Sequence, residues 1–154
     1  MTTGQWVLLA VVVFVVGFAV YRVSTDGRFR GTHRVRGAGQ GAESPESAAS
    51  VLAADGVDVP LGERATLLQF SSAFCAPCRA TRRVLGEVTE LVPGVIHVEV
   101  DAEQHLQAVR DLRVLRTPTT LVLDRDGREV SRAAGLPKRD QVLAALARAT
   151  ERSE

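Results

Sequence analysis

Two cysteines occur in this 154-residue chain, and both lie in Cys75-Ala76-Pro77-Cys78. A bridge between residues so close in sequence closes too small a loop to constrain the unfolded chain much. The pair therefore reads as functional rather than as a structural staple. It follows an apolar, β-rich run, Thr66-Leu67-Leu68-Gln69-Phe70, and opens a helical pattern with apolar residues at Ala80, Val84, Leu85, Val88 and Leu91. A dithiol at a strand-to-helix junction suits thiol redox chemistry, because the unsatisfied N–H groups of a helix N-terminus stabilise a thiolate on the first turn. The competing readings are an inert buried pair and half of a zinc site. Zinc needs two further ligands, and His33, His97 and His105 are the only histidines. His33 sits in a Gly-rich stretch, and the other two lie on separate elements without metal-site spacing. No metal and no bound cofactor is expected.

The elements around the pair alternate. Ala65–Ser71 reads as a strand apolar on both faces, hence central in a sheet, and 76–91 as a helix closed by Pro93-Gly94. A second strand covers 95–100 and ends at Asp101. A shorter helix over 103–112 carries Leu106, Val109 and Leu112 inward. A third strand at 119–123 passes through Asp124-Arg125-Asp126-Gly127 into a fourth at 128–133. A last helix, 138–149, has Val142, Leu143 and Leu146 on one face. The order β-α-β-α-β-β-α predicts an α/β fold whose sheet is parallel in its first half and a hairpin in its second.

The N-terminus is different in kind. No charged side chain occurs before Arg22, and 6–21 is an unbroken apolar run bracketed by Trp6 and Tyr21. Sixteen helical residues span about 24 Å, and Gly4, Gln5 and a snorkelling Arg22 extend that toward the ~30 Å of a hydrocarbon core. A cleaved signal peptide is the rival, but Met1-Thr2-Thr3-Gly4-Gln5 lacks the positive n-region and no small-x-small site follows. A core helix apolar on every face would need partners all round it, and this segment is uncoupled in sequence from the domain. Residues 1–23 are thus read as a single-pass membrane anchor. Arg22, Arg28, Arg30, Arg34 and Arg36 follow it against Asp26 alone, which predicts a cytoplasmic domain. Those arginines also suit anionic headgroups. The overall formal charge of +1 gives no bias toward nucleic acid, and no aromatic residue beyond Phe29 interleaves the arginines. Residues 24–43, with glycines at 27, 31, 37, 39 and 41, read as a flexible linker. Ser44-Pro45-Glu46-Ser47 then reads as a helix start, with Ser44 as cap and Ser47 as the third position of a short helix reaching Ala53. The globular domain is placed at 44–154.

The stretch 65–148 resembles a thioredoxin domain. The matching residues are Phe70, Phe74-Cys75-Ala76-Pro77-Cys78, Asp101 after the second strand, Thr117-Pro118-Thr119, the Asp126-Gly127 turn and Gly135. The chain as a whole is similar to membrane-anchored bacterial thioredoxins. The resemblance implies a thioredoxin-like fold, a central mixed sheet flanked by helices, with a redox-active Cys75–Cys78 disulfide. It also implies a cis peptide bond at Pro118, facing the cysteines, and a groove of Phe74, Ala76, Pro77, Thr117 and Pro118 where an extended substrate adds as a strand. Cys75 would be the attacking thiol at the helix N-terminus, and Cys78, one turn deeper, the resolving thiol.

Three positions depart from the family pattern, and a fourth bears on them. Phe74 replaces the usual tryptophan, and Ala76 the usual glycine. Gln69 occupies the place of a buried aspartate that assists proton transfer, and a glutamine is no general base. His97 stands where lysine is common, and is either a modulator or a satisfied strand histidine. The implied function is protein disulfide reduction on disulfide-containing proteins. Electrons would come from a thioredoxin-reductase-type flavoprotein using NADPH, and the chain is expected to be a monomer. Two alternatives stand beside it: an extracytoplasmic reductase or isomerase for secreted or cytochrome proteins, and a non-catalytic binding module.

Overall fold

The computed structural model describes residues 3–25, 27–31 and 47–151. Ten elements follow one another: α1 (Thr3–Thr25), β1 (Arg30–Gly31), α2 (Ala48–Ala54), β2 (Ala65–Ser71), α3 (Ala76–Leu91), β3 (Val95–Asp101), α4 (Leu106–Asp111), β4 (Thr119–Asp124), β5 (Glu129–Ala134) and α5 (Arg139–Glu151). One five-stranded sheet in the order β1-β5-β4-β2-β3 organises them. β2 and β3 are parallel, while the β2–β4, β4–β5 and β1–β5 pairs are antiparallel. Every residue of β2 is buried, as its two-sided apolar composition predicts for an inner strand.

Helices cover both faces of the sheet. Leu68, Phe70, Val100, Leu121 and Leu123 pack with Leu52 of α2 and Ala108 of α4 on one side. Ala65, Leu67, Val95, Val122 and Val130 pack with Leu85 and Val88 of α3 and with Val142, Ala145 and Leu146 of α5 on the other. Alternation along the strands does this sorting, since successive side chains point to opposite faces. Gln69 and Glu99 are register partners, as are Leu67 and His97, so His97 and Glu99 share the α3 face with Gln69. Along α3 the buried positions are Cys78, Thr81, Leu85 and Val88, whereas Ala80 and Leu91 of the apolar pattern are exposed.

α1 contains an 18-residue stretch, Gly4–Tyr21, of mean hydropathy 2.2 and no burial against the rest of the chain. It is apolar and long enough to cross a membrane, at about 27 Å.

Three sequence expectations need correction. The stretch 24–43 is not a linker throughout. Gly27 N–H donates to the Ala134 carbonyl at 2.8 Å, Phe29 packs against the α3/α5 core, and Arg30 and Gly31 pair with Arg132 and Ser131 of β5. Backbone pairing needs no apolar pattern, so composition did not reveal it. The helix expected from Ser44 starts at Ala48, where Ser47 is the cap and its hydroxyl accepts from Ser50 N–H at 3.0 Å; Ser44 and Pro45 lie outside the described residues. Finally, α4 starts at Leu106 rather than Glu103, because the Asp101 carboxylate accepts from Glu103 N–H and from the Gln104 side chain, both at 2.9 Å, holding that segment in a turn. Val109 and Leu112 pack in the core as expected, Ala108 is buried with them, and Leu106 is exposed.

Candidate active site

Cys75 caps α3. Its backbone is extended, and its sulfur accepts from Cys78 N–H at 3.1 Å, satisfying one of the donors a helix start leaves open. Pro77 fits the first turn because its missing N–H costs nothing there. Cys75 is half-buried, whereas Cys78, one turn on, is only 2% exposed. The two sulfurs form a disulfide, with the Cα atoms 5.2 Å apart. Ala76 and Pro77 are exposed, and Phe74 is 99% exposed, projecting beside Cys75.

A second corner of the site comes from the chain entering β4. The Thr117–Pro118 peptide is cis. Pro118 is buried, its carbonyl accepts from Gly135 N–H at 2.8 Å, and Thr119 Oγ1 donates to Arg116 O at 2.7 Å. The two corners meet through hydroxyls: Ser72 Oγ and Thr117 Oγ1 lie 3.2 Å apart, and Ser72 O accepts from Cys75 N–H. The structure thus links Thr117-Pro118 to the cysteine loop, forty residues away in sequence.

Below the cysteines lies a cleft of about 430 Å³ lined by Ser71, Cys75, Cys78, Arg79, Arg82, Glu99 and Asp101, among others. Gln69 is fully buried on the same sheet face, and its Nε2 donates to Cys78 O at 3.1 Å, bracing the first turn of α3. His97 is absent from the cleft lining. Burial pushes its imidazole below the ordinary value, with the Glu99 carboxylate opposing and Arg82 reinforcing the shift. For Glu99, burial alone would raise the carboxyl. Hydrogen bonds from Arg82 and Ser71, with the charges of Arg82 and His97, outweigh it and hold the group below its usual range. Arg82 Nη2 reaches the two Glu99 oxygens at 2.5 and 2.7 Å.

Arg79, Arg82 and Glu99 were not among the sequence candidates. Period-two spacing from His97 puts Glu99 and Asp101 on the same strand face, and Arg82 follows Cys78 by one helical turn. Those spacings were the available signal.

The sequence matches the family described as a thioredoxin-like domain over residues 57–150, more than half of the chain. Thioredoxin from Chlamydia trachomatis is 31% identical over 77 residues, covering 50% of this chain and 74% of that protein. Thioredoxin H-type 1 of Nicotiana tabacum is 28% identical over 78 residues, and the match spans 61% of its length and 51% of this chain. Among solved structures, Fasciola hepatica thioredoxin aligns with a TM-score of 0.50 at 22% identity, covering 64% of this chain and 88% of that one. A thioredoxin variant from Halobacterium salinarum aligns with a TM-score of 0.52 at 20% identity, covering 57% and 76%. These structural likenesses show the fold. The chain belongs to the thioredoxin-like family and has the thioredoxin-like fold, with an apolar N-terminal helix ahead of the matched region.

Proposed function

We propose that the chain is a membrane-anchored thiol–disulfide oxidoreductase working as a protein disulfide reductase. The observation that carries this is the asymmetry of the pair: a half-exposed Cys75 at the helix cap over a buried Cys78. In the reduced protein, the Cys75 thiolate attacks one sulfur of a substrate disulfide. A Cys75–substrate disulfide forms, and the other substrate sulfur leaves as a thiolate that takes a proton from water. Cys78, after losing its proton, attacks Cys75 Sγ. The Cys75–Cys78 disulfide forms and the second substrate thiolate departs, so two electrons have passed to the substrate. A thioredoxin-reductase-type flavoprotein would return the pair to the dithiol at the expense of NADPH.

The groove of Phe74, Ala76, Pro77, Thr117 and Pro118 receives the extended substrate strand in this scheme, with Gln69 as a brace and His97 as a modulator from below. α1 is the single-pass anchor, and the arginines after it favour a cytoplasmic domain. An impermeant maleimide that labels reduced Cys75 in intact cells would reverse that orientation.

Substitution of each cysteine tests the roles. Cys78→Ser retains a covalent adduct between Cys75 and its substrate without release, while Cys75→Ser abolishes both trapping and insulin reduction. Equal trapping through either single cysteine overturns the assignment. Absence of insulin reduction by the intact chain, with dithiothreitol or a reductase as donor, favours a non-catalytic scaffold instead.

A further inference from the structure

A flexible twenty-residue tether would let the domain roam, with a root-mean-square reach of roughly 25 Å. The structure leaves almost none of it between membrane helix and domain. α1 ends at Thr25, and Gly27 is already buried in the domain. Two Cα–Cα steps separate these residues, no more than about 7.6 Å. Gly27 has φ +75° and lies so close to the chain that a Cβ there would meet Leu136 O at 2.0 Å and Leu136 C at 2.6 Å. Phe29 packed against the core and the Arg30–Gly31 strand pairing secure the next residues. The juxtamembrane segment is therefore part of the sheet.

Its point of attachment is the peptide group that is hydrogen-bonded to the cis-Pro118 corner. The Ala134 carbonyl accepts from Gly27 N–H at 2.8 Å and from Arg116 Nη2 at 3.0 Å. The N–H of the same peptide group, on Gly135, donates to the carbonyl of cis-Pro118 at 2.8 Å. One peptide plane thus joins the end of the apolar helix to the proline corner, and Gly27 N lies no more than about 8 Å from Pro118 O. From Tyr21, where the apolar stretch ends, four helical residues add about 6 Å. Pro118 O is then within roughly 22 Å of the hydrocarbon edge, where the headgroup layer itself takes about 5–7 Å. Two large apolar side chains on the segments that form the site face solvent: Phe74, just before Cys75, at 99% and Leu115, three residues before Pro118, at 93% exposure. Arg28, next to Gly27, is exposed and suits anionic headgroups.

We propose that residues 27–31 clamp the redox site at the bilayer surface, and that its substrates are disulfides of membrane-spanning proteins lying close to that surface. This rests on the oxidoreductase and anchor readings above. The clamp limits how far the site can rise from the bilayer, so the effective concentration of a disulfide at the right height is high and that of a distant one is low. Exposed Phe74 and Leu115 fit the apolar residues that border a membrane span.

The test uses the full chain in vesicles of four parts phosphatidylcholine to one part phosphatidylglycerol. Two single-span peptides carry the same disulfide, one a few residues from the bilayer and the other raised on a rigid helical spacer of roughly 40 Å. Insulin serves as soluble substrate. A flexible insertion of about twelve residues between Thr25 and Asp26 lengthens the connection without altering the clamp. The expected result is a near-to-far rate ratio of about tenfold or more, falling to within about threefold with the insertion, while insulin reduction stays the same. Equal ratios with and without the insertion overturn the proposal. A second readout needs no catalysis. A fluorophore on Leu115→Cys, in a Cys75→Ser/Cys78→Ser background, is quenched by headgroup nitroxides, and the insertion relieves the quenching. Absent quenching in the uninserted chain overturns the placement even where insulin is reduced. Quenching without insulin reduction instead overturns the redox reading, and the substrate proposal with it.

Discussion

His97 makes the stability of this domain sensitive to mild acid, with a predictable sign. Its imidazole sits on the α3 face of β3, register-paired with Leu67, and burial lowers its proton affinity below the ordinary value of 6.5. In the unfolded chain the ring takes up a proton as pH falls through about 6.5, while in the folded chain it resists until a lower pH. Between those two values the unfolded state holds more protons, so acidification removes stability that is fully present above pH 6.5. One group exchanges at most one proton, which limits the slope to about 1.4 kcal/mol per pH unit. For a domain of this size each kcal/mol moves Tm by about 4–8 °C, so His97 contributes no more than roughly 6–11 °C per pH unit. The assay is thermal unfolding of the oxidised full chain in detergent from pH 8 to 5, beside His97→Gln. The variant is expected to lose less Tm than the parent between pH 7 and the lower end. Parallel curves would refute the burial argument. A parent that gains on the variant as pH falls would show instead that attraction to the Glu99 carboxylate prevails over burial.

Further outcomes follow from neighbouring contacts. The Glu99 carboxyl is held below its ordinary value of 4.5, so its contribution is present above that pH and lost as pH falls through the folded value; Arg82→Met should move the acid-unfolding midpoint upward in a circular-dichroism titration. Gln69→Leu removes one hydrogen bond to Cys78 O, worth about 1 kcal/mol, and should leave the pH profile of insulin reduction unchanged in shape; loss of a titration limb would mean that Gln69 supports proton transfer. Leu85→Ala empties a fully buried position between α3 and the sheet and should cost about 2–5 kcal/mol in denaturant unfolding, with the two-cysteine chemistry intact in the folded fraction.

Much of this arrangement was legible in the sequence, for identifiable reasons. β2 was readable because a seven-residue stretch with apolar side chains on both faces, Ala65 and Leu67 on one and Leu68 and Phe70 on the other, has few places to go except the middle of a sheet. The start of α3 was readable because cysteine, proline and an apolar 3.6-residue period coincide there. Thr117-Pro118 was recognised through resemblance alone, since spacing by itself is equally consistent with an ordinary strand-initial proline. For α4 the expectation held at Val109 and Leu112 and failed at Leu106, because the Asp101 carboxylate holds Glu103 and Gln104 in a turn and Leu106 becomes an exposed first helical residue. Arg82 and Glu99 escaped because an ion pair between a helix and a strand has no single-segment signature; the two elements must be laid face to face before it is visible.

β1 carries the larger lesson. Arg30 and Gly31 are a charged residue and a glycine inside a Gly-rich, Arg-rich stretch, and their side chains give no hint of a strand. The backbone alone makes the pairing, and any residue but proline supplies an N–H and a C=O. What marks the site in sequence is Gly27, and only after the fold is known, because positive φ and a carbonyl at 2.0 Å from any Cβ demand glycine there. Composition therefore assigned residues 27–31 to a tether, although they belong to the domain. The consequence for function is large. Residues 32–46 come between β1 and α2 in the sequence, so their length adds nothing to the path from α1 to the cis-Pro118 corner. That path runs from the end of α1 at Thr25 to Gly27, and then through the peptide group that Gly27 shares with cis-Pro118.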